Sequence, residues 1–402
     1  MNTLKFGNSE WYGSEGNILA YNDENGNFKP LPFDFSRGSS ATRVNKQGLI
    51  ETVGANDARV DYLDNANGAL LLEPTRTNLV TYSIPINSSP YNYAGGGVSP
   101  APIHTANQGI SPDGSLNAAK IDFNLNGGTT SSDISQISYV GSSLTGDYTS
   151  SFYLKSFDSN SYTVTLLNPN GVTSQTVITP EWQRFTFYNG GGTTSANLIR
   201  IRLRGSENTS NTASLLAWGF QLEQGSYPTS IINTQGTAQT RLADSCSQTL
   251  PSAVPTSGVI YAEIELFNSV LDTSSTAIRY GINQTTYSGN WIFFGIENGD
   301  NLRVYVRAND STSFDYSSNN VFPTSGVYKI AMRFAPNDTK VFVNGVQRAS
   351  SENTVIASNL NNLNISGGGT ASSPVNNSVK NRDFRLYNTA LTDSELAALT
   401  QV

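Results

Sequence analysis

The chain contains two alternating stretches, which read Ile199-Arg200-Ile201-Arg202-Leu203-Arg204 and Leu302-Arg303-Val304-Tyr305-Val306-Arg307. Successive side chains of a β-strand point to opposite faces, so each stretch would have one apolar face and one face toward solvent. Such alternation is typical of antiparallel sheets that pack on one side only.

Shorter runs of the same kind recur and predict further strands: Ser151-Phe152-Tyr153-Leu154-Lys155, Tyr162-Thr163-Val164-Thr165-Leu166 and Trp182-Gln183-Arg184-Phe185-Thr186-Phe187. Short strands separated by Gly, Asn and Pro turns indicate sandwiches or jelly rolls. Helical periodicity is nearly absent until the last ten residues. We therefore predict an all-β fold with two antiparallel β-sandwich (jelly-roll) domains, a small turn-rich N-terminal module before them, and one short C-terminal helix.

Two local signals near the C-terminus are specific. Asn344-Gly345 stands between apolar runs, which predicts a tight hairpin because both turn residues need a positive φ. Thr392 followed by Glu395 forms a capping-box pattern before Leu396-Ala397-Ala398-Leu399, which predicts the start of the helix.

Composition divides the chain into three parts. Residues 1–80 are turn-rich and read as an N-terminal module. Residues 81–245 and 257–402 form two strand-rich blocks. The Pro/Ser/Thr stretch over residues 247–256 is interpreted as a linker.

The overall composition excludes several classes of function. The 402 residues are 37% hydrophobic and carry a net charge of −7 without a basic block, so cores can form and nucleic-acid binding is not expected. The chain has one cysteine, Cys246, and one histidine, His104, which excludes a disulfide framework within the chain and most His- or Cys-based catalytic and metal sites. We read His104 as a loop or strand residue and Cys246 as an inert thiol.

No signal peptide is visible in the sequence, and no apolar run approaches the roughly 18 residues of a membrane span. We therefore expect synthesis in a cytoplasm and no membrane insertion.

The last 145 residues or so resemble the laminin-G-like (concanavalin-like) sandwich. The resemblance rests on three runs in order: Tyr328-Lys329-Ile330-Ala331-Met332-Arg333-Phe334, Lys340-Val341-Phe342-Val343-Asn344-Gly345 and Phe384-Arg385-Leu386-Tyr387-Asn388-Thr389-Ala390-Leu391-Thr392. It implies a β-sandwich of the kind that many lectins share.

Two further stretches resemble modules of phage structural proteins. Leu216-Ala217-Trp218-Gly219-Phe220-Gln221-Leu222-Glu223 looks like the closing strand of carbohydrate-binding-module-like jelly rolls. The N-terminal runs Phe35-Ser36-Arg37-Gly38-Ser39-Ser40-Ala41-Thr42-Arg43 and Leu70-Leu71-Leu72-Glu73-Pro74-Thr75-Arg76-Thr77-Asn78 are similar to a module of tailed-bacteriophage virion proteins. In this order the three resemblances are typical of fibres, decoration proteins and adhesins.

The resemblance implies a structural virion protein, a head or tail fibre or a capsid decoration, that displays glycan-binding-like sandwiches and aids adhesion to the host surface. Its partners would be other virion proteins of the capsid or tail and host surface glycans, with a homotrimer as one option. It would be made in the host bacterial cytoplasm and reside on the virion surface. A soluble lectin or adhesin is the alternative.

Arg37, Arg43 and Arg76 are the candidates for attachment to a neighbouring virion protein, because arginine pairs well with carboxylates and carbonyls at interfaces. The competing interpretation is that these arginines tie down loops within their own module, where apolar residues are few.

The glycan-binding candidates are exposed aromatic side chains on which a sugar ring can stack. They are Tyr91, Tyr93 and Tyr188 in the middle block and Tyr280 and Tyr305 in the last block, with Trp182 and Trp291 as further options. Most of the 41 aromatic residues must serve the cores, and Trp218 and Trp291 stand in apolar strands that favour burial.

We expect no cofactor and no metal site, with a structural calcium ion as an option. Asn22-Asp23-Glu24-Asn25-Gly26-Asn27 and Glu297-Asn298-Gly299-Asp300-Asn301 offer clustered oxygens, but neither has the spacing of a calcium loop, and both fit hairpin turns.

A third hypothesis is a glycoside hydrolase. Glu263 and Glu265 are two apart on a strand, so both face the same side, as paired catalytic carboxylates require. The resemblance to the laminarinase-like motif Glu-x-Asp-x-x-Glu is incomplete, because Asn268 occupies the last acidic position. We therefore predict that the protein is not an enzyme.

Overall fold

The computed structural model describes residues 3–6, 12–14, 18–22, 28–31, 34–167, 171, 173–250, 252–267, 277–284, 287–297, 299–367 and 377–402. The chain forms two compact units. Unit 1 comprises residues 1–75 and 242–402, and unit 2 comprises residues 76–241. Both units are built from antiparallel strands, and one short helix follows the last strand of unit 1. The prediction of an all-β fold is therefore confirmed.

The strands of unit 1 lie on both sides of unit 2 in the sequence. Those before it are β1 (Thr3–Phe6), β2 (Tyr12–Ser14), β3 (Ile18–Asn22), β4 (Phe28–Leu31), β5 (Asp34–Ser36), β6 (Ala41–Val44), β7 (Ile50–Val53), β8 (Arg59–Asp61) and β9 (Ala69–Leu72). Those after it are β22 (Ser245–Thr249), β23 (Gly258–Leu266), β24 (Ala277–Gln284), β25 (Tyr287–Glu297), β26 (Asn301–Ala308), β27 (Ser311–Ser318), β28 (Gly326–Phe334), β29 (Thr339–Val343), β30 (Val346–Ser351), β31 (Asn362–Gly367) and β32 (Val379–Tyr387), followed by helix α1 (Asp393–Leu399).

Unit 1 is a sandwich of two large sheets. One has the order β30-β29-β28-β23-β32-β9-β8, with β1 also paired to β32. The other has the order β27-β26-β25-β24-β31-β22-β5. Apolar side chains from both sheets, such as Ile260, Ile264, Phe294, Val304 and Phe384, form one buried core. Strands β2 to β4 and the pair β6–β7 form smaller sheets.

The N-terminal segment belongs to this sandwich, so the structure divides the chain differently from the predicted boundaries at residues 80, 245 and 257. Strand β5 pairs with β22, and β9 pairs with β32 in the register Leu72↔Val379. Phe35, Val60, Leu70 and Leu72 lie in the common core. These pairings join residues that are far apart in sequence, which a local reading of composition does not detect.

The stretch over residues 247–256 was predicted to be a linker, and this prediction is wrong. Its first residues belong to β22, inside the seven-stranded sheet. Leu250 and Val254 are buried in the core of unit 1. Composition alone was therefore misleading here.

Both specific local signals are confirmed. Asn344 and Gly345 have φ values of 49° and 79° and join β29 to β30. Thr392 accepts a hydrogen bond from the Glu395 backbone N–H, and the Glu395 carboxylate accepts one from the Thr392 N–H, which completes the capping box of α1. Within the described part of the chain, no helix has the length and apolar character needed to cross a membrane.

Unit 2 is a second sandwich. Its strands are β10 (Arg76–Asn78), β11 (Tyr91–Gly96), β12 (Ile103–Ile110), β13 (Leu116–Asn124), β14 (Ile134–Val140), β15 (Tyr148–Ser156), β16 (Tyr162–Leu167), β17 (Thr173–Ile178), β18 (Gln183–Asn189), β19 (Asn197–Arg204), β20 (Thr212–Gln224) and β21 (Gln239–Arg241). Two five-stranded sheets, β11-β14-β19-β16-β17 and β12-β13-β20-β15-β18, enclose a core that includes Phe152, Ile201 and Phe220. The short pair β10–β21 joins the first and last residues of the unit.

A buried ionic network fastens the N-terminal segment of unit 1 to the point where the chain returns from unit 2. The Asp244 carboxylate accepts hydrogen bonds from the guanidinium groups of Arg37 and Arg59 and from the Glu73 backbone N–H. Arg59 also pairs with the Glu73 carboxylate. Because the charges are buried together, removing one of them leaves the others unpaired in a poorly solvated site.

In unit 2, Asp133 organises two loops at one end of the sandwich. Its carboxylate accepts hydrogen bonds from the backbone N–H groups of Val98 and Thr130 and from the Thr130 hydroxyl. These bonds lower the pKa of Asp133 from 3.8 to about 2. The carboxylate therefore stabilises the folded state only while it is ionised.

We predict that Asp244→Asn destabilises unit 1 by about 3 kcal/mol or more, because Arg37 and Arg59 lose their common counter-charge in a buried site. Calorimetric unfolding measures the change. The control is Arg43→Gln, which breaks a partly exposed pair with Glu51 and should cost about 1 kcal/mol or less. Equal effects of the two substitutions would contradict the assigned role of the network.

We predict that Asp133→Asn lowers the melting temperature at neutral pH and that the difference from the parent protein shrinks in acid. The folded-state pKa lies below the ordinary value, so the stabilisation is present above about pH 4 and is lost as the pH falls toward 2. Melting curves measured between pH 7 and pH 2.5 give the comparison. A difference that stays constant over this range would be inconsistent with the proposed linkage.

Candidate carbohydrate-binding surface

The outer face of the seven-stranded sheet of unit 1 carries a group of aromatic, amide and arginine side chains, which we call the aromatic face. The alternation of β24, β25, β26 and β31 sends Ile282, Phe294 and Val304 into the core. The intervening residues therefore point outward: Arg279, Asn283, Trp291, Phe293, Arg303, Tyr305, Arg307 and Asn364.

Three rings form the centre of the aromatic face. Phe293 and Tyr305 are cross-strand partners and stack with centroids 5.6 Å apart at an angle of 20°. Trp291 lies edge-on to Tyr305 at 5.6 Å and tilted against Phe293 at 5.2 Å. Trp291 and Tyr305 remain partly exposed, whereas Phe293 is buried between its neighbours. The group thus presents an apolar platform to solvent.

A shallow pocket lies beside the platform. It encloses about 240 Å³, including space open to solvent, and its lining includes Gly281, Asn283, Trp291 and Asn364. A Cβ at position 281 would come within 2.2 Å of the Ile292 carbonyl oxygen, so only glycine fits here. The missing side chain is what opens the pocket between the asparagines and the rings.

An amide network forms the side of the pocket opposite the rings. The Asn283 Oδ1 accepts hydrogen bonds from the amides of Asn362, at 3.0 Å, and Asn364. Thr249 donates to the Asn362 Oδ1 at 3.2 Å. The network fixes the orientation of the Asn364 side chain. Because its nitrogen donates to Asn283, its side-chain oxygen points away from the network.

The charges of the aromatic face are balanced in pairs. Arg279 binds Glu297 at 2.7 Å and lies 4.8 Å above the Phe293 ring centroid. Arg303 forms an ion pair with Asp315, and Arg307 lies 3.4 Å from Asp310. This surface therefore offers stacking and hydrogen bonding without a strong net charge.

Two donors on the aromatic face are buried and have no acceptor within the described ranges. They are the indole Nε1 of Trp291 and the Nε of Arg307, which are on cross-strand neighbours. These donors are inaccessible to a ligand in this arrangement, so the ring platform and the fixed amides are the groups suited to polyols, in which apolar C–H faces alternate with hydroxyls.

The structure distributes the predicted glycan-binding residues of the last block over two faces. Tyr305 lies on the aromatic face. Tyr280 points into the core, is 1% exposed and donates a hydrogen bond to the Asn381 Oδ1 at 2.5 Å, so its assignment as a glycan ligand is wrong. Trp291, which the sequence favoured as buried, is partly exposed instead.

The three candidates of unit 2 do not form one site. Tyr91 is 4% exposed and donates to the Tyr82 carbonyl oxygen, so it cannot stack on a ligand. Tyr93 is half-buried and donates to the Ile86 carbonyl oxygen at 3.2 Å, and burial raises the pKa of both rings. Tyr188 is 47% exposed and donates to Asp147 at 2.9 Å.

Trp218 and Trp182 contact other residues of unit 2. Trp218 is buried against Tyr153, as its apolar strand predicted. Trp182 is partly exposed and donates to the Ile110 carbonyl oxygen at 3.1 Å.

The arginines predicted to attach the protein to a neighbour are bound within their own units. Arg37 is 1% exposed and forms part of the buried network, so it is not an interface residue. Arg43 pairs with Glu51 across the β6–β7 hairpin at 2.7 Å. Arg76 lies 5.3 Å above the Tyr227 ring centroid. These contacts agree with the competing interpretation, in which the arginines hold loops.

The two oxygen clusters considered for calcium lie partly outside the described residues. Residues 23–27 lie outside the described residues, and Glu297 is engaged by Arg279. Among the described residues, no group of three or more His, Cys, Asp or Glu side chains could hold a metal ion.

His104 and Cys246 have local roles. The His104 ring contacts the Pro85 carbonyl oxygen at 2.9 Å in unit 2. Cys246 is buried in the core of unit 1, and burial raises the pKa of its thiol, so little thiolate forms at neutral pH.

The two glutamates considered for catalysis are both engaged. Glu265 pairs with Arg382 at 2.8 Å, and Glu263 accepts a hydrogen bond from the Tyr261 hydroxyl at 3.4 Å. Asn268, the third position of that motif, lies outside the described residues.

Residues 268–397 match the sequence model of the concanavalin A-like lectin/glucanases superfamily. The matched segment supports the resemblance of the C-terminal block to laminin-G-like sandwiches, and it contains every residue assigned above to the aromatic face. It covers less than half of the chain. Comparison with the sequences of curated proteins gives no match.

Solved structures similar to this chain include a leech intramolecular trans-sialidase, with 16% identity and a TM-score of 0.30, which covers 39% of this chain. This chain spans only 27% of that enzyme. The carbohydrate-binding module CBM40 of a Ruminococcus gnavus sialidase, bound to α2,3-sialyllactose, has 16% identity, a TM-score of 0.30 and coverage of 38% of this chain and 84% of the module. The receptor-binding domain of botulinum neurotoxin D has 15% identity, a TM-score of 0.31 and coverage of 39% and 40%.

Sequence reasoning missed most of the aromatic face. Arg279, Asn283, Phe293 and Asn364 come from three strands, and only the sheet register brings them together. The one local signal was the alternation of Asn283 with Ile282 and of Phe293 with Ile292 and Phe294, which places polar or aromatic groups opposite the core.

We predict that Asn283→Ala lowers the free energy of unfolding by about 1–3 kcal/mol, because the amides of Asn362 and Asn364 lose their acceptor. Asn364→Ala should cost about 1 kcal/mol or less, since it removes a single donor at the rim. Denaturant titration compares the two variants. If Asn364→Ala were the more destabilising, the description of the network would be wrong.

Proposed function

We propose that this protein binds glycans through the aromatic face and serves as an adhesin. The observation that carries the proposal is the combination, on one sheet face, of a three-ring platform with a pocket lined by fixed asparagine amides. Sugars bind by stacking a C–H face on a ring while their hydroxyls exchange hydrogen bonds with amides. The superfamily match over residues 268–397 supports the same assignment.

We further propose that the adhesin is a structural component of a tailed-phage virion, a fibre or a decoration protein, made in the cytoplasm of the host bacterium. The support is the order of resemblances along the sequence. In this proposal the sandwiches are displayed at the virion surface, where they contact host surface glycans, and other virion proteins hold the chain in place. A soluble lectin that acts alone is the alternative.

We propose that the protein binds its glycan without cleaving it. A glycosidase needs one protonated and one free carboxyl group placed on opposite sides of a glycosidic bond. Glu265 is held by Arg382 in an ion pair at 2.8 Å, so its carboxylate is already engaged within the chain and is not free to act on a glycosidic bond.

We predict that the intact chain binds glycans on an array and that Trp291→Ala or Tyr305→Ala weakens binding at least about tenfold, since stacking on a sugar is lost. The matched control is Tyr188→Ala, which removes an exposed tyrosine of unit 2 that donates a hydrogen bond to Asp147. Equilibrium titration with the strongest array ligand gives the affinities. A flat array, or equal losses in all three variants, would refute glycan binding at the aromatic face.

The virion assignment requires a separate experiment. Antibodies against the purified chain should label particles in electron micrographs, and particles that lack the protein should remain unlabelled. Glycan binding without labelling would favour the soluble lectin.

A further inference from the structure

The two alternating stretches that indicated the fold class differ in how acidic residues neutralise the charges of their arginines. On β26, Arg303 and Arg307 each have an acidic partner. On β19 in unit 2, the outward side chains Arg200, Arg202 and Arg204 have a single acid nearby, Glu207. We call this surface, the outer side of the sheet β11-β14-β19-β16-β17, the arginine face.

Glu207 is committed to the middle arginine. Its carboxylate accepts hydrogen bonds from the Nε and the terminal nitrogen of Arg202 and from the Thr165 hydroxyl at 2.6 Å. Arg202 is only 7% exposed, so this pair is sheltered from solvent. The guanidinium of Arg204 lies farther away, with 3.9 Å between its Nη1 and Glu207, and its Nε donates to the Ser131 carbonyl oxygen.

Among the described residues, no acidic side chain forms an ion pair with Arg200. All eight acidic residues of residues 76–241 are described by the structure, and none of them forms an ion pair with Arg200. Its Nε is buried and finds no acceptor in the described part of the chain. Burial and the charge of Arg202 lower the pKa of Arg200, so an added negative charge would stabilise its ionised form.

Positive charge is concentrated on this face within a unit that is neutral as a whole. Residues 76–241 hold eight acidic and eight basic residues, so the net charge of −7 belongs to unit 1. Arg200 and Arg204 are four residues apart on one strand, which corresponds to about 13 Å at a rise of roughly 3.3 Å per residue. Two surplus charges at this distance fit a ligand that carries repeated anionic groups.

The groups around the arginines suit a polyol. Gln136, opposite Arg202 on the neighbouring strand, is partly exposed, and Gln175, opposite Thr165, is exposed. The register places no aromatic side chain on the outer side of this sheet among the described residues. Single-stranded nucleic acids are held by stacking their bases on rings, so this surface lacks their platform.

We propose that the arginine face is a second binding surface, which holds an acidic polysaccharide with carboxylate groups on Arg200 and Arg204. Arginine forms charge-assisted hydrogen bonds with carboxylates, and the amides of Gln136 and Gln175 bind sugar hydroxyls. The surface belongs to unit 2 and shares no residue with the aromatic face, so it stands independently of the function proposed above.

Affinity electrophoresis of the intact chain in gels that contain alginate, a polymer of uronic acids, tests this assignment. We expect retardation in alginate and none in dextran, a neutral polymer, and a weaker effect as salt rises. Arg200→Gln and Arg204→Gln should each weaken binding about threefold or more, and the double variant about tenfold or more. Arg200→Lys should retain most of the affinity, because it keeps the charge.

Glu207→Gln provides a variant with the opposite expectation. Removing the only acid of the arginine face frees Arg202 and should strengthen alginate binding severalfold, a gain that a purely structural role would not produce. This result remains informative if the double arginine variant fails to fold. Arg348→Gln, which removes an exposed arginine of unit 1, is the matched control and should leave retardation unchanged.

Several outcomes would overturn the proposal. They are an absence of retardation in alginate, equal retardation in dextran, an unchanged affinity of the folded double variant, or a loss of affinity in Glu207→Gln. Stronger binding to inorganic polyphosphate than to alginate would assign the surface to phosphate polymers instead.

Discussion

The structure of unit 1 depends on the pairing of strands that lie at opposite ends of the sequence. Strand β9 extends the sheet of β32, and β5 extends the sheet of β22, so residues 34–75 complete both layers of the C-terminal sandwich. Asp244, placed between Arg37 and Arg59, neutralises the charges that this closure buries. Such a cluster contributes little net free energy while it is intact, but it penalises any arrangement in which its partners separate.

Whether a feature could be predicted from the sequence depends on how far apart along the chain its interacting residues lie. Alternation on β19 and β26, the Asn344-Gly345 hairpin and the Thr392 capping box are set by neighbouring residues, and all of them were predicted correctly. The domain boundaries and the exposure of Tyr91, Tyr280 and Trp291 depend on which strands pair and which face turns inward. An alternation with a period of two residues shows that the two faces of a strand differ, but it does not show what covers each face.

The aromatic and arginine faces show how the same alternating pattern can serve different surfaces. On β26 each outward arginine meets an acid, and the rings between the arginines dominate the surface. On β19 the one nearby acid, Glu207, pairs with Arg202 and lies 3.9 Å from Arg204 but does not pair with Arg200, and no ring intervenes. Charge compensation by residues on neighbouring strands, rather than the alternation itself, therefore decides what chemistry a sheet face presents.

The insertion of unit 2 imposes an order of events on the nascent chain. Arg76 and Arg241 pair across β10 and β21, so all partners of unit 2 are present once residue 241 has been made. Residues 34–75 are made before unit 2, but β22 and β32, the partners of β5 and β9, are synthesised only after residue 241. At 5–20 residues per second, synthesis from residue 72 to residue 387, where β32 ends, takes roughly 15–60 s, and the N-terminal segment waits this long for the sheets it will join. During that interval Leu70 and Leu72 lack the core that later covers them, so the emerging chain is most exposed to misassociation at its N-terminal segment.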